Sequence, residues 1–208
     1  MFSDNIKPAF IISEYNPFHN GHKYQIEKTR ENGATHIVAV MSGNFVQRGD
    51  IAICDKHIRA KAALLGGADL VLELPLKYAV SNAPYFAKGA ISVIEKTGLN
   101  GILSFGAKNP LEDLISVAEL TDDKKTKEQT EKISREKGLS YPSALSLFVK
   151  ENYSHKLSAV LEDANNTLAI EYIKQAKSKQ LPLEFCAVER LGTSHDSLYK
   201  TDNIASAM

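Results

Sequence analysis

The sequence predicts an α/β fold built on an open, doubly wound parallel sheet of about five strands. Short apolar runs recur along the chain, and segments with helical spacing of apolar residues alternate with them. Glycine or proline ends several of these segments. The first strand, helix and second strand take about thirty residues, the length of a parallel crossover. This alternation predicts helices on both faces of the sheet.

The first predicted unit lies close to the N-terminus. Residues 8–13 form an apolar run typical of a buried strand, and a helix is expected from about Gly21 to Asn32. Asn32 and Gly33 are typical of a helix end, because glycine readily takes the left-handed conformation there. Residues 35–41, which are mostly apolar and rich in β-branched side chains, predict the second strand.

The rest of the sheet follows the same alternation. Asp55 is a typical N-cap for a helix that ends at Gly66. Asn165 and Asn166 open a further helix, and capping explains one of the two. The remaining predicted elements are strands at 69–75, 100–106 and 183–188, a helix at 83–96, and a polar, loop-like segment from 189 to 208.

A helical insertion is predicted at about residues 109–160. Its first part has apolar residues at helical spacing, and Pro142 is typical of the first turn of a later helix. Between them, residues 121–137 carry a dense run of mixed charge, which predicts a solvated helix face or a mobile segment. We treat residues 1–208 as one domain that includes this insertion.

Composition and charge narrow the class of protein. Lys and Arg together number 25, as do Asp and Glu, so the net charge is zero, which argues against a broad nucleic-acid surface. Cys54 and Cys186 lack metal-site spacing and are interpreted as small core residues. The N-terminus does not resemble a signal peptide, and no apolar run approaches the ~20 residues of a membrane span. We therefore expect a cytoplasmic protein without membrane contact.

The strongest chemical signal is the pair His19 and His22, separated by Asn20 and Gly21, between the first strand and its helix. A helix N-terminus gathers free N–H groups and a positive dipole end, so it favours anions such as phosphate. The spacing predicts that both rings reach one anion from either side, while Gly21 lets a ligand approach the backbone. Such donors suit a transition state with charge on an α-phosphate. The structural alternative is a pair of surface histidines near a helix start.

Other polar and cationic residues follow the predicted strands, at the edge where ligands bind in open α/β sheets. Arg48 and Arg190 are candidate phosphate ligands, and Arg48 also suits a carboxylate. Glu73 is an acid at a strand end, with a capping residue or the partner of a lysine as the structural alternatives. We interpret His36, His57 and His155 as structural or surface residues. The candidate phosphate or acetate contacts after the second strand are Ser42, Gly43, Asn44 and Arg48.

Several sequence blocks resemble a known family. The H-x-G-H motif at residues 19–22 matches the signature of the nucleotidylyltransferase superfamily. The longer blocks resemble the tRNA(Met) cytidine acetate ligase family and together extend over nearly the whole chain. These blocks are residues 13–22, 41–49, 68–75, 104–106 and 165–169.

This resemblance implies a fold, an activity and a set of partners. The fold is the Rossmann-like nucleotidylyltransferase fold. Enzymes of the family use ATP and acetate to form acetyl-adenylate and release pyrophosphate. They then transfer the acetyl group to N4 of the wobble cytidine, position 34, of elongator tRNA(Met). Mg²⁺ accompanies the ATP, with no dedicated metal site expected from protein residues.

The resemblance also implies roles for individual residues. His19 and His22 are expected to be catalytic. The implied ATP-binding residues are Ile12, Ser13, Glu14, Tyr15, Asn16, Pro17, Phe18, Asn20, Gly21, Lys23, Tyr24, Gln25, Gly106, Asn165 and Arg190.

The chain departs from the family pattern in two ways. Family members are about twice as long, and their later helical region, implicated in tRNA binding, is missing here. Residues 204–208 resemble only the start of a Ser/Thr-rich phosphate-binding motif that ends in Ile-Arg in the superfamily. We therefore expect a truncated chain. Two alternatives stay open: an adenylyltransferase for a phosphorylated cofactor precursor, and a non-catalytic nucleotide-binding or RNA-binding module.

Overall fold

The structure, a computed structural model, describes residues 6–189, and for Arg48 and Ala164 it describes the backbone alone. Within these residues, five strands form a single, entirely parallel sheet in the order β3-β2-β1-β4-β5, so the predicted fold is confirmed. The strands are β1 (Pro8–Ser13), β2 (His36–Ser42), β3 (Leu70–Leu74), β4 (Gly101–Ala107) and β5 (Leu183–Glu189).

Helices connect the strands and cover both faces of the sheet. Two short helices, α3 and α8, were not expected from the sequence, and a single 3₁₀ turn spans Gln47–Gly49. The helices are α1 (Asn20–Glu31), α2 (Lys56–Leu65), α3 (Leu76–Ala79), α4 (Ala83–Thr97), α5 (Leu111–Asp122), α6 (Lys124–Lys137), α7 (Tyr141–Asn152), α8 (His155–Val160) and α9 (Ala164–Ser178). The capping residue of α9 is Asp163, so the prediction that Asn165 or Asn166 caps this helix is wrong.

Each face of the sheet has its own apolar core. Successive strand residues point to opposite faces, so Phe10 packs with helices α4, α5 and α9, whereas Ile11 packs with α1 and α2. Burial on both faces is the reason that the strands are nearly continuous apolar runs. The two cores place α1 and α2 together on one side of the sheet.

The order in which the chain adds strands to the sheet reverses at β1. The chain runs outward from β1 through β2 to β3, then crosses back to β4 on the other side of β1. Pairing of β1 with β2 continues to Ser13 and Met41, but pairing of β1 with β4 ends at Ile11 and Ser104. The carboxyl ends of β1 and β4 therefore flank the topological switch point, the position where open α/β sheets bind ligands, and we call this position the crevice.

The charged segment predicted as a solvated face or a mobile segment is the helix α6. Asp123 caps its N-terminus and Gly138, in the left-handed conformation, ends it. Pairs of opposite charge four residues apart, such as Lys132 and Glu136, lie along its exposed surface, while Thr130 is buried. None of the described helices is both long and apolar enough to cross a membrane.

Candidate nucleotide site

The first turn of α1 is organised by the two histidines. His19 is the N-cap, and its Nδ1 accepts a hydrogen bond from the backbone N–H of Gly21 at 3.1 Å. Nδ1 of His22 accepts from the backbone N–H of His19 at 3.2 Å. The two side chains thus satisfy two of the N–H groups that a helix start leaves without partners, in the reciprocal arrangement of a capping box.

These hydrogen bonds fix the tautomer of both rings. A backbone N–H can only donate, so each Nδ1 carries a lone pair, and the proton of the neutral imidazole lies on Nε2. Both histidines therefore present an Nε2–H donor on the side of the ring away from the helix backbone. Donors of this kind, added to the N–H groups of the first turn, suit a bound anion.

The histidine rings lie side by side. Their centroids are 3.7 Å apart with an interplanar angle of 26°, so the rings are stacked. That the two rings reach one anion from either side stays a prediction. Tyr15 packs edge-on against His22 at 4.8 Å, and Phe18 packs edge-on against Tyr15 at 5.0 Å. The physical reason for the stack is the capping box, because residues three apart at a helix start share one face.

Tyr15 holds the loop between β1 and α1 in a tight conformation. Its φ is +47°, in the left-handed region that residues other than glycine rarely adopt, and the peptide bond between the two following residues, Asn16–Pro17, is cis. The side chain is 1% exposed, and burial raises the pKa of its hydroxyl to about 12, an effect that Ser13 partly offsets. Neither hydroxyl makes a hydrogen bond of standard geometry with a described residue.

Helix α2 supports this loop from beneath. The Nη1 of Arg59 donates to the carbonyl of Glu14 at the end of β1, and Nη2 donates to the carbonyls of Ser42 and Gly43 at the end of β2. Arg59 as a whole is 1% exposed. Arg59 thus joins the two strand ends that border the site, and the sequence interpretation did not include it. In the sequence, Arg59 is a lone arginine on the apolar face of a helix, four residues before Ala63, and this pattern could have indicated its role.

Three predicted ligand residues use their side chains to hold loops. Asn16 accepts from the N–H of Ile53 at 2.7 Å, and Glu14 accepts from the N–H of Gln47 at 2.6 Å. Asn44 accepts from the N–H of Lys56, at the first turn of α2, at 2.8 Å. The bonds of Asn16 and Glu14 tie the loop after β1 to the loop after β2, and the bond of Asn44 holds the loop after β2 to the start of α2, so the residues shape the site whether or not they also touch a ligand.

The opposite side of the crevice is formed by the end of β4 and the start of α9. Asn166 is fully buried, donates to Asn109 and to the carbonyl of Val160, and accepts from the N–H of Lys108. Asp163 accepts from the N–H and side chain of Asn165. We call this group, residues 107–109 with the first turn of α9, the β4 wall, and the group formed by β1, residues 14–22 and α2 the β1 wall.

An ion pair adds to the β4 wall. Nζ of Lys108 lies 2.8 Å from Asp163. Burial opposes ionisation of Asp163, but the hydrogen bonds from Lys108 and Asn165 outweigh it and lower the pKa of this carboxyl to about 2. Asp163 is therefore a carboxylate at neutral pH, beside the predicted ligand Asn165.

The structure places most of the predicted site residues at the carboxyl edge of the sheet. Residues 12–22, 42–44, Gly106 and Asn165 all lie at strand ends or at helix starts that follow them. Residues 23–25 lie further along α1, where Lys23 is exposed. Arg190 and the side chain of Arg48 lie outside the described residues. Glu73 is paired with Lys56 at 2.7 Å, the structural alternative for this acid.

The geometry fits a nucleotide triphosphate better than a metal centre of the protein's own. The crevice ends at a helix start with backbone N–H groups and two imidazole donors. Among the described residues there is no group of three or more histidine, cysteine or acidic side chains able to hold a metal ion. Mg²⁺ bound through phosphate oxygens is compatible with such a site, since this ion often uses few protein ligands.

Comparisons with known proteins identify the family to which the chain is similar. The model of the HIGH Nucleotidyl Transferase family matches residues 7–208. The tRNA(Met) cytidine acetate ligase of Clostridium kluyveri is 41% identical over 97% of this chain and 52% of its own length. That of Acetivibrio thermocellus is 38% identical over 97% of this chain and 50% of its own. The chain thus spans about half the length of the curated relatives it matches.

Solved structures agree in fold. The crystal structure of Thermotoga maritima TmcAL bound with alpha-thio ATP has a TM-score of 0.82 and 36% identity, over 90% of this chain and 47% of that one. The apo form of the same protein has a TM-score of 0.85 and 34% identity, over 94% of this chain and 48% of the other. The match confirms the α/β fold of the chain.

Proposed function

Because the chain belongs to the HIGH nucleotidyl transferase family, we propose that it is the ATP-using part of a tRNA(Met) cytidine acetate ligase. In this proposal, the crevice between the β1 wall and the β4 wall binds ATP with its accompanying Mg²⁺. Acetate is the acceptor of the adenylyl group. The names of the relatives support the choice of acetate and tRNA(Met) as substrates.

The observation that carries the proposal is the pair of Nε2–H donors at the start of α1. An acetate oxygen attacks the α-phosphorus of ATP, and the bond from this phosphorus to the oxygen that bridges the α- and β-phosphates breaks. The electron pair leaves with pyrophosphate, and acetyl-adenylate forms. His19 and His22 stabilise the negative charge that builds on the phosphate oxygens. Gly21, which has no side chain, lets these oxygens approach the backbone.

The second step of the proposed reaction uses the activated acetyl group. N4 of the wobble cytidine, C34 of elongator tRNA(Met), attacks the acetyl carbonyl. The bond from this carbon to the phosphate oxygen breaks, AMP leaves with the electron pair, and N4 loses one proton to solvent. The 25 basic and 25 acidic residues of this chain offer no overall attraction for RNA. We therefore assign most of the tRNA contact to the additional helical region of the longer relatives. Such an enzyme would act in the cytoplasm, where tRNA is processed.

The test is ATP–pyrophosphate exchange that depends on acetate. We expect exchange with the unaltered protein and a loss of about 100-fold in His22→Asn, the scale for removing one preorganised donor. Asparagine keeps an oxygen that can accept from the N–H of His19, so this variant separates catalysis from helix capping. His57→Asn, at an exposed position on α2, is the control.

The outcomes separate the candidate functions. Exchange that persists undiminished in His22→Asn would contradict the role of this histidine. Exchange without acetate but with a phosphorylated cofactor precursor would identify the adenylyltransferase alternative. ATP binding in calorimetry, without exchange under any condition and in the longer relatives too, would favour a non-catalytic module.

A further inference from the structure

We propose that Arg59 is a positioning residue, which fixes the H-x-G-H loop against the loop after β2 and so sets the geometry of the two histidines. The inference rests on the proposed ATP site. Arg59 lies in α2 and has no place in the H-x-G-H motif or in the blocks of residues that carry the family resemblance. Its role emerges only from the way its hydrogen bonds connect three separate parts of the chain.

The guanidinium of Arg59 binds main-chain carbonyls. Nη1 donates to Glu14, Nη2 donates to Ser42 at 3.2 Å and to Gly43, and Nε donates to Cys54 at 3.2 Å. One planar group with donors in a fixed fork therefore holds the ends of β1 and β2 and the start of α2. Lysine, a single ammonium on a flexible stem, cannot reproduce this arrangement.

The charge of Arg59 is unusual for its environment. In the part of the chain that the structure describes, it forms no ion pair with a carboxylate within 4 Å. Burial lowers the pKa of this guanidinium, and the charges of the nearby groups Cys54, Glu14, Asp55 and Glu73 partly oppose this shift. A buried charge is weak support for stability, because apolar side chains of similar volume often serve as well. The geometry that Arg59 imposes on the loops accounts for its presence better than stability does.

The loop is held to α2 at three points along the helix. Before the helix, the N–H of Ile53 bonds to Asn16; in its first turn, Arg59 bonds to Glu14; at its end, the ring of Phe18 packs on Gly66. Tyr15 lies between these fixed points and contacts His22. A displacement of the Glu14 carbonyl therefore reaches the catalytic ring through one intervening residue.

The experiment compares Arg59→Lys and Arg59→Ala with Lys61→Ala, an exposed position on the same helix. ATP affinity is measured by calorimetry, and global folding by circular dichroism. We expect both Arg59 variants to bind ATP at least about tenfold more weakly, because small misplacements of catalytic groups have effects of up to about 100-fold. In Arg59→Ala, millimolar guanidinium, but not ammonium at equal ionic strength, is expected to restore part of the affinity.

A second readout reports on the loop without ATP. Nitrogen NMR of the imidazoles should show the Nε2–H form at His19 and His22 in the unaltered protein. We expect this form to be lost or averaged in Arg59→Lys, while His155, on α8, is unchanged. A merely structural role in the core would lower the melting temperature without this local change.

The outcomes test the inference separately from the proposed function. Unaltered protein that does not bind ATP would contradict the proposed function, and the NMR measurement would still decide the role of Arg59. Arg59→Lys with full ATP affinity and unchanged histidine signals would overturn the inference. Loss of the global fold in both variants would also overturn it, because Arg59 would then be a residue of the core.

Discussion

The β1 wall of the crevice is fixed mainly by hydrogen bonds between side chains and loop backbone, with a buried guanidinium at its centre. The β4 wall depends on a buried amide, Asn166, and on the ion pair of Lys108 and Asp163, whose lysine is 56% exposed. Arg59 keeps its charge over the accessible pH range, whereas Asp163 can be protonated. The comparison teaches that the central support of the β1 wall does not depend on a carboxylate or an exposed ion pair, whereas the ion pair of the β4 wall depends on both.

The largest expected effect tests the amide of the β4 wall. Asn166→Ala removes two donated bonds and leaves the N–H of Lys108 without its acceptor, so the free energy of unfolding should fall by about 3 kcal/mol. Asn165→Ala is the matched control, since its side chain bonds only to Asp163 among the described residues. Urea unfolding of the two variants provides the measurement.

The same pair of variants also distinguishes support from ligand contact. Asn165→Ala should lower the free energy of unfolding by less than about 1 kcal/mol but weaken ATP binding. Equal losses of stability in the two variants would contradict the division of roles within this wall.

The next effect concerns the β1 wall. A β-carbon added at Gly66 would overlap the ring of Phe18, so Gly66→Ala should displace this ring and, through Tyr15, the ring of His22. We expect ATP affinity to fall by about tenfold, the effect of a small misplacement. The backbone of Gly66 is in the right-handed helical region, which alanine accepts, so the loss of stability should come only from displacing the ring and should be about 1–3 kcal/mol.

Calorimetry with ATP and thermal unfolding together check this prediction. Unchanged affinity would show that the Phe18 ring is free to move without consequence for the histidines. That result would remove one of the three points by which α2 holds the loop.

The smallest effect is a pH dependence of the ion pair in the β4 wall. The pKa of Asp163 is lowered to about 2, so its contribution to stability is present above the ordinary carboxyl pKa and is lost as the pH falls towards 2. Asp163→Asn keeps a good N-cap but loses the pair with Lys108. Its melting temperature should lie below that of the unaltered protein at about pH 5, and the difference should shrink towards about pH 2.

Differential scanning calorimetry over this pH range gives the measurement. A difference that stays constant with pH would contradict the lowered pKa. High salt should reduce the difference at about pH 5, because Lys108 is largely exposed.

The sequence was sufficient for the parts of the molecule that follow from local pattern. Apolar runs marked the five strands, and a strand followed by H-x-G-H marked the helix start that carries the site. Helix caps were harder, because Asp163 and Asn165 are equally good candidates and only the path of the preceding loop decides between them.

The supports of the site could not be predicted in the same way. Arg59 binds the carbonyls of Glu14, Ser42 and Gly43, which every residue type has, so no side-chain pattern marks its partners. Asn166 meets Asn109, 57 residues away in sequence. In the sequence, both Arg59 and Asn166 are nonetheless polar residues on an apolar helix face, and such a residue usually has a buried hydrogen-bonding partner.

The brief pairing of β1 with β4 has a mechanical consequence. β1 registers with β2 over six residue pairs and β4 with β5 over seven, but β1 and β4 share only three. The sheet thus consists of two groups of strands, β3-β2-β1 and β4-β5, that are joined over a short length. Beside this junction, the hydroxyls of Thr29 and Ser104 form a 2.6 Å hydrogen bond. A nucleotide bound at the carboxyl end of this junction would contact both groups of strands. It would therefore restrict the twist of one group relative to the other.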